Sequence, residues 1–205
     1  MEGCDRFLSG ISSRQVLAIC AILVYTKDNP MNIFVTSPDP MISARVLPDK
    51  HIVKMPLECC QMISIIYSKW YLDWGELHKK DGTPYSTKKG AFRNHPCTVW
   101  AAANEYNLAW LIQHGCFLSA EYKIRYGKIH SCTKTLFEAK RIFHKKTGKS
   151  ITCYSLAENY ARAMPDEYKF DTSIDTFTAY KMYIASKPWV ASNYLRDESK
   201  KPNWL

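Results

Sequence analysis

Apolar residues at Ile52, Met55, Cys59, Met62, Ile63 and Ile66 recur every three or four positions, a period that puts them on one face of an α-helix from Asp49 to about Tyr71. A stripe this long must be covered, so the rest of the chain has to supply helices that pack on it. Pro56 falls inside the stripe, and its missing N–H and crowded ring predict a kink. A second long segment opens at Asn94-His95-Pro96, a capping side chain followed by a proline suited to a first turn. It runs to Gly127, a C-terminal glycine, with a break expected near Gly115. Further helices are predicted from Met41 to Val46, from Thr133 to His144, and from Thr172 or Ser173 to about Ser186 with Asp175 in the first turn. Asn32 to Val35 has the pattern of a short strand, stopped by Pro38-Asp39-Pro40. The expectation is a mainly α fold, an irregular helical bundle with a short N-terminal strand or extended segment, forming a single domain over residues 31–205. Residues 1–30 are expected to be an N-terminal extension or docking helix, and Met31 is an alternative start of translation.

Charge narrows the partners. Lys and Arg number 28 against 19 Asp and Glu, a net charge of +9, which attracts nucleic acid or acidic surfaces over long range. The apolar run from Val16 to Tyr25 is too short to span a bilayer and carries no cleavage signal after it. Nucleic acid, DNA before RNA, is therefore the expected partner, and membrane is not. Between Asp73 and Arg93 the helical pattern dissolves into a long basic stretch, Lys79-Lys80 to Lys88-Lys89, that is either functional or mobile. None of the eight cysteines forms a C-x-x-C pair, so free thiols in the cytoplasm are expected. Three H-x-C pairs, at His95, His114 and His130, contain zinc-type ligands. Residues two apart on a helix point to different faces, so buried thiols and capping histidines are the preferred reading, with no metal and no cofactor.

Three stretches carry candidate chemistry. His51, Lys54 and Glu58 share one helix face and interrupt the apolar stripe, offering a proton carrier, a cation for phosphate and a carboxylate that serves a sugar or a proton. A solvated face with ordinary ion pairing is the competing explanation. His95 stands at a helix N-terminus, where phosphate binds readily. Arg125, Tyr126, Lys128 and His130 gather at a helix end that can track a phosphate backbone and stack a base, although Glu121 and Arg125, four apart, also suit a plain ion pair.

The run from Met31 to about His130 resembles small phage-type proteins that open M-N-I-F, continue D-K-H-x-x-K-x-x-x-E, and carry N-H-P and R-Y-G-K-x-H; the ending Pro202-Asn203-Trp204 is similar too. It also resembles the pyrimidine-dimer DNA glycosylase (endonuclease V) family, helical proteins with a His and a Glu seven apart on an early helix. That resemblance implies a DNA-contacting role for His51 and a catalytic carboxylate at Glu58. The family's nucleophile is the free amine of its N-terminal residue, whereas thirty residues precede Met31 here, and the arginine beside the family's glutamate is Leu57. An amine at Met31, Lys50 or Lys54 would have to substitute. The expected function is a DNA-acting glycosylase/lyase-like enzyme with Glu58, His51 and His95 in the reaction site. Lys50, Lys54, Lys88, Lys89, Arg93, Arg125, Tyr126, Lys128 and His130 are expected on DNA, with Tyr126, Trp70 or Trp74 filling the gap left by an extruded nucleotide. A non-catalytic nucleic-acid-binding or host-interaction protein, and an enzyme of free nucleotides, are the alternatives.

Overall fold

The computed structural model describes residues 31–205, so the extension or docking helix expected over residues 1–30 lies outside the described residues. Seven α-helices follow in chain order: α1 (Pro40–Arg45), α2 (Asp49–Tyr67), α3 (Pro96–Ala103), α4 (Glu105–Tyr126), α5 (Thr133–Thr147), α6 (Asp166–Lys169) and α7 (Thr176–Ala185) among the described residues. Short 3-10 turns occupy Ile151–Leu156 and Glu198–Lys200. The fold is mainly helical, as the periodicity predicts. Helix α4 is the hub and packs against α1, α2, α3, α5 and the first 3-10 turn. Around it Ile63, Ile66, Trp110, Leu111 and Phe143 are completely buried, which is where the stripe on α2 finds its cover.

Local chemistry sets the helix ends. The Asp39 carboxylate accepts from the Met41 and Ile42 amides at the start of α1, with Pro40 in the first turn. Gly127 and Gly148 close α4 and α5 at φ 66° and 68°, a backbone conformation that suits glycine. Asp175 is the N-cap of α7, accepting from Thr178 N at 2.8 Å, where the sequence reading has it inside the first turn.

Three expectations need correction. The break in the second long segment falls at Asn104, whose extended backbone (φ −156°) ends α3 and whose side chain caps α4. Gly115 instead lies within α4, where a Cβ would sit 2.6 Å from Leu136 Cδ2 and 3.1 Å from Cys59 Cβ. The glycine is there so that α2 and α5 can approach α4 closely. Helix α2 runs unbroken through Pro56 and stops at Tyr67, after which Trp74 and Gly75 both donate to the Tyr67 carbonyl. No strand forms over Asn32 to Val35, because the Asn32 side-chain oxygen accepts from the Ile33 and Phe34 amides and Phe34 takes φ 41°. That Asx turn removes the donors a strand would use.

The basic stretch from Asp73 to Arg93 is pinned down. Leu77 is buried, His78 and Pro84 form an isolated antiparallel bridge, and Gly90 lies so close to Trp70 that a Cβ would meet the indole at 2.7 Å. Lys79, Lys80, Lys88 and Lys89 stand exposed on this scaffold.

Candidate active site

The first four described residues run through the middle of the predicted site. Met31 is 1% exposed, and its backbone bonds the His95 ring. The Asn32 amide donates to Glu58 Oε2 at 2.8 Å, and the Asn32 side chain donates to the Ala163 carbonyl at 2.6 Å. Phe34 stacks on His51 with centroids 4.1 Å apart and planes 18° from parallel. One short segment therefore links His95, Glu58 and His51, which come from α2 and from the start of α3.

Glu58 is 3% exposed, and its second oxygen meets Lys54 Nζ at 3.0 Å from the preceding turn of α2. Burial raises its pKa above the usual carboxylate range, while Lys54 and the Asn32 amide pull the other way. The Lys54 side chain is 55% exposed, so it reaches from solvent to an otherwise enclosed carboxylate.

Both histidines of the cluster are neutral at ordinary pH. Burial, with help from the charges of Lys187 and Lys54, pushes His51 down to about 3. Burial pushes His95 down to about 4 against the opposing bond from Met31. His95 is also the N-cap of α3, its Nδ1 accepting from Cys97 N at 3.2 Å. His51 lies edge-on to Trp189 at 5.6 Å, and its Nδ1 has no hydrogen-bond partner among the described residues. A neutral imidazole holds a phosphate less firmly than an imidazolium does, so these rings suit stacking and neutral hydrogen bonds.

The helix-end group is a different kind of object. Arg125, expected on a phosphate backbone, has a fully buried side chain that donates to the carbonyls of Arg45 and Leu47 and to Asp49 Oδ1 at 2.7, 2.8 and 3.1 Å. Its Nε faces Glu121 at 3.4 Å. His130 is equally occupied: Nε2 donates to the Val53 carbonyl at 3.0 Å, and Nδ1 accepts from Cys132 N at 3.1 Å. Neither is offered to a ligand, because loops distant in sequence supply their partners. Tyr126 stacks on Tyr122, with Arg196 5.1 Å over its ring. Lys128 is exposed, and Lys50 lies 4.5 Å over Trp189. Arg93 lies on Trp70 at 4.6 Å and donates to the Gly90 carbonyl, which ties it to the basic loop. Trp74 packs against Tyr67 and Phe143 at the edge of the core, whereas Trp70 is 38% exposed.

Two of the three H-x-C pairs follow from this geometry, since in each the histidine ring accepts from the amide of the cysteine two residues on. His114 instead bonds the Pro40 carbonyl at 3.1 Å from within α4. No group of three or more His, Cys, Asp or Glu able to hold a metal ion occurs among the described residues. No helix among them is long and apolar enough to cross a membrane.

A family model described as pyrimidine dimer DNA glycosylase matches residues 31–134, about half of the chain. The chain belongs to that family. No match is found among curated proteins or among solved structures. The matched span begins at Met31 and takes in the whole Asn32, His51, Lys54, Glu58 and His95 cluster, so this member of the DNA glycosylase family keeps its polar interior within the shared region.

Sequence reasoning overlooks Asn32, Phe34 and Trp189. The signal available for Asn32 is its residue type at the head of a turn; nothing in the local sequence marks Phe34 for positive φ. Also overlooked is a cavity of about 530 Å³ whose wall includes Trp100, Tyr160, Phe170, Arg162 and Lys169. It borders the cluster: Asn94 and Pro96, which flank His95, line it, as does Ala161, two residues from the Ala163 carbonyl held by Asn32.

Proposed function

We propose that the protein is a DNA glycosylase with lyase activity that breaks the bond between a damaged pyrimidine and its deoxyribose, with Glu58 as the reacting carboxylate. The observation that carries this reading is the environment of Glu58. It is a buried carboxylate on a helix face, held by the Asn32 amide and reached from solvent by one amine. A carboxylate whose pKa burial has raised is a better proton acceptor than one on the surface, and a proton must be moved both when a base leaves and when the sugar backbone is opened. Membership of the family supports the substrate class, pyrimidine dimers in DNA.

The remaining roles follow from exposure and charge. Lys50, Lys88, Lys89 and Lys128 are exposed cations suited to phosphates, and they position the duplex without reading its sequence. His51, neutral and stacked on Phe34, presents its unpartnered Nδ1 to a sugar or base. The cavity beside His95 has the aromatic walls and the size to receive a nucleotide turned out of the duplex.

The test is a duplex oligonucleotide carrying one cyclobutane pyrimidine dimer, assayed for base release and strand cleavage. Glu58→Gln keeps the shape and removes the charge. Turnover is expected to fall by about two orders of magnitude or more, with duplex affinity changed by less than about threefold, as for a group acting mainly in the transition state. Full activity in Glu58→Gln, or no action of the wild type on damaged duplex, removes the reading.

A further inference from the structure

We propose that Leu57, on the one strip of α2 open to solvent, is the wedge that fills the gap left in a duplex when a nucleotide is turned out. The inference rests on the glycosylase reading and names a side chain that the reading leaves unassigned.

Helix α2 is almost wholly enclosed. Of its 19 residues only Lys50, Val53, Lys54 and Leu57 are exposed, with Gln61 half-buried. Positions i, i+3, i+4 and i+7 form one ridge, about 10 Å long at the helical rise, which matches about three base steps of DNA. The ridge runs beside the buried Glu58, and its Lys54 meets that carboxylate from solvent at 3.0 Å. A duplex that delivers a sugar to Glu58 therefore lies against this strip.

The four exposed side chains divide by chemistry. Lys54 is paired with Glu58, and Lys50 lies over Trp189 at 4.5 Å; both ammonium groups suit phosphates. Val53 and Leu57, 46% and 42% exposed, can pair with no phosphate and gain only by leaving water against a base face or a sugar. A lone exposed leucine says little by itself. Leu57 differs because both its chain neighbours, Pro56 and Glu58, are buried, so its backbone is held and its side chain meets DNA at little ordering cost. Three residues from Lys54, it is that amine's neighbour on the ridge. The aromatic residues that the sequence offers for the gap are engaged elsewhere. Tyr126 stacks on Tyr122, Trp74 packs against Tyr67 and Phe143, and Trp70 lies under Arg93 with Nε1 donating to the Thr87 carbonyl at 2.8 Å.

Turning a nucleotide out uncovers base faces that had been stacked, and a branched hydrocarbon placed between them covers those faces and opposes the return of the base. Val53, one turn back and shorter, contributes less. The wedge matters only while stacking has to be broken, which sets it apart from a group that acts on the sugar.

The experiment uses the full chain and two probes, a pyrimidine dimer in a fully paired duplex and the same dimer inside a bubble of unpaired bases. Leu57→Ala is expected to lower turnover on the paired duplex by about 10-fold or more, and to stay within about threefold of wild type on the bubble, where unstacking is already done. A 2-aminopurine opposite the dimer should brighten when wild type binds and should brighten less with Leu57→Ala. Leu57→Met restores a long apolar side chain and should recover most of both signals, while Leu156→Ala, which shortens an exposed leucine of the first 3-10 turn, should change neither. Equal losses on paired and bubble substrates, paired-duplex turnover within about threefold of wild type, or an unchanged 2-aminopurine signal overturns the wedge and leaves the glycosylase reading intact. Wild type that acts on neither probe overturns the two together.

Discussion

Helix α2 carries two buried carboxylates, Asp49 in its first turn and Glu58 two and a half turns on, and they sit in opposite kinds of surroundings. Asp49 belongs to a closed group. Its oxygens accept from Arg125 at 3.1 Å and from the Arg196 amide at 3.0 Å, while Glu121 receives both Arg125 and Lys200. Around Glu58 the partners are one amide and one half-exposed amine, and on the same helix His51 Nδ1 remains unanswered among the described residues. A fully paired polar group can only be broken, which is what a structural clamp requires. A partly paired one has capacity left for a substrate. The difference separates architecture from chemistry better than residue type does, since Arg and Glu occur in the first and Lys and Glu in the second.

Removing the centre of the closed group should have the largest effect. Arg125→Met takes one of the donors from Asp49 and from Glu121 and removes the guanidinium from the Arg45 and Leu47 carbonyls, and loss of one partner from a buried network costs about 3–5 kcal/mol. A urea midpoint unchanged from wild type would show that the group is not a clamp.

Acid should act next, and through different groups. His51, His95 and His114 have folded-state pKa values of about 3, 4 and 4, below the ordinary 6.5. Between those values the unfolded chain binds protons that the folded chain does not, so stability falls as pH drops from 6.5 toward 4. Each ring contributes on the order of 1 to 2 kcal/mol by pH 5, partly offset at lower pH by Glu58, whose raised pKa works in the opposite sense. All three rings grip the segment from Met31 to Pro40, through Met31, Phe34 and Pro40 itself. Hydrogen exchange at pH 5 should therefore open residues 31–36 before the amides of α4. Uniform acceleration across the chain would contradict the assignment.

Glu58→Gln should be nearly neutral for stability, within about 1 kcal/mol, because it relieves a desolvated charge while giving up an ion pair with a half-exposed lysine. A loss as large as that of Arg125→Met would place Glu58 in the structural class. Smallest of all, Lys200→Ala should cost less than about 1 kcal/mol, since Arg125 still serves Glu121; thermal unfolding of the two variants measures both.

The helices were legible because an apolar stripe at helical spacing has few other solutions, and the face carrying His51, Lys54 and Glu58 stood out as polar groups interrupting that stripe. Arg125 and His130 are illegible in the sequence for one physical reason. Their acceptors lie at Arg45, Leu47, Asp49 and Val53, on segments that meet them only in three dimensions, so no spacing along the chain reveals that their donors are taken. Gly115 has the look of a breaker because packing against Leu136 and Cys59 is invisible in one dimension. Asn32 and Phe34 looked like strand because alternation does not distinguish a pairing amide from one already held by its neighbour's side chain.

The thread from Met31 to Phe34 has a consequence for the order of events at the ribosome. These residues precede the rest of the domain out of the exit tunnel, yet Asn32 must wait for Glu58, 26 residues later, and for the carbonyl of Ala163, 131 residues later. Helices α2 and α4 contain mostly local bonds and can form as they emerge, whereas the thread closes last, after the chain is nearly complete. A nascent or truncated chain that stops before Ala163 is thus expected to be helical and partly compact yet to lack an assembled centre, which arrives only with the finished protein.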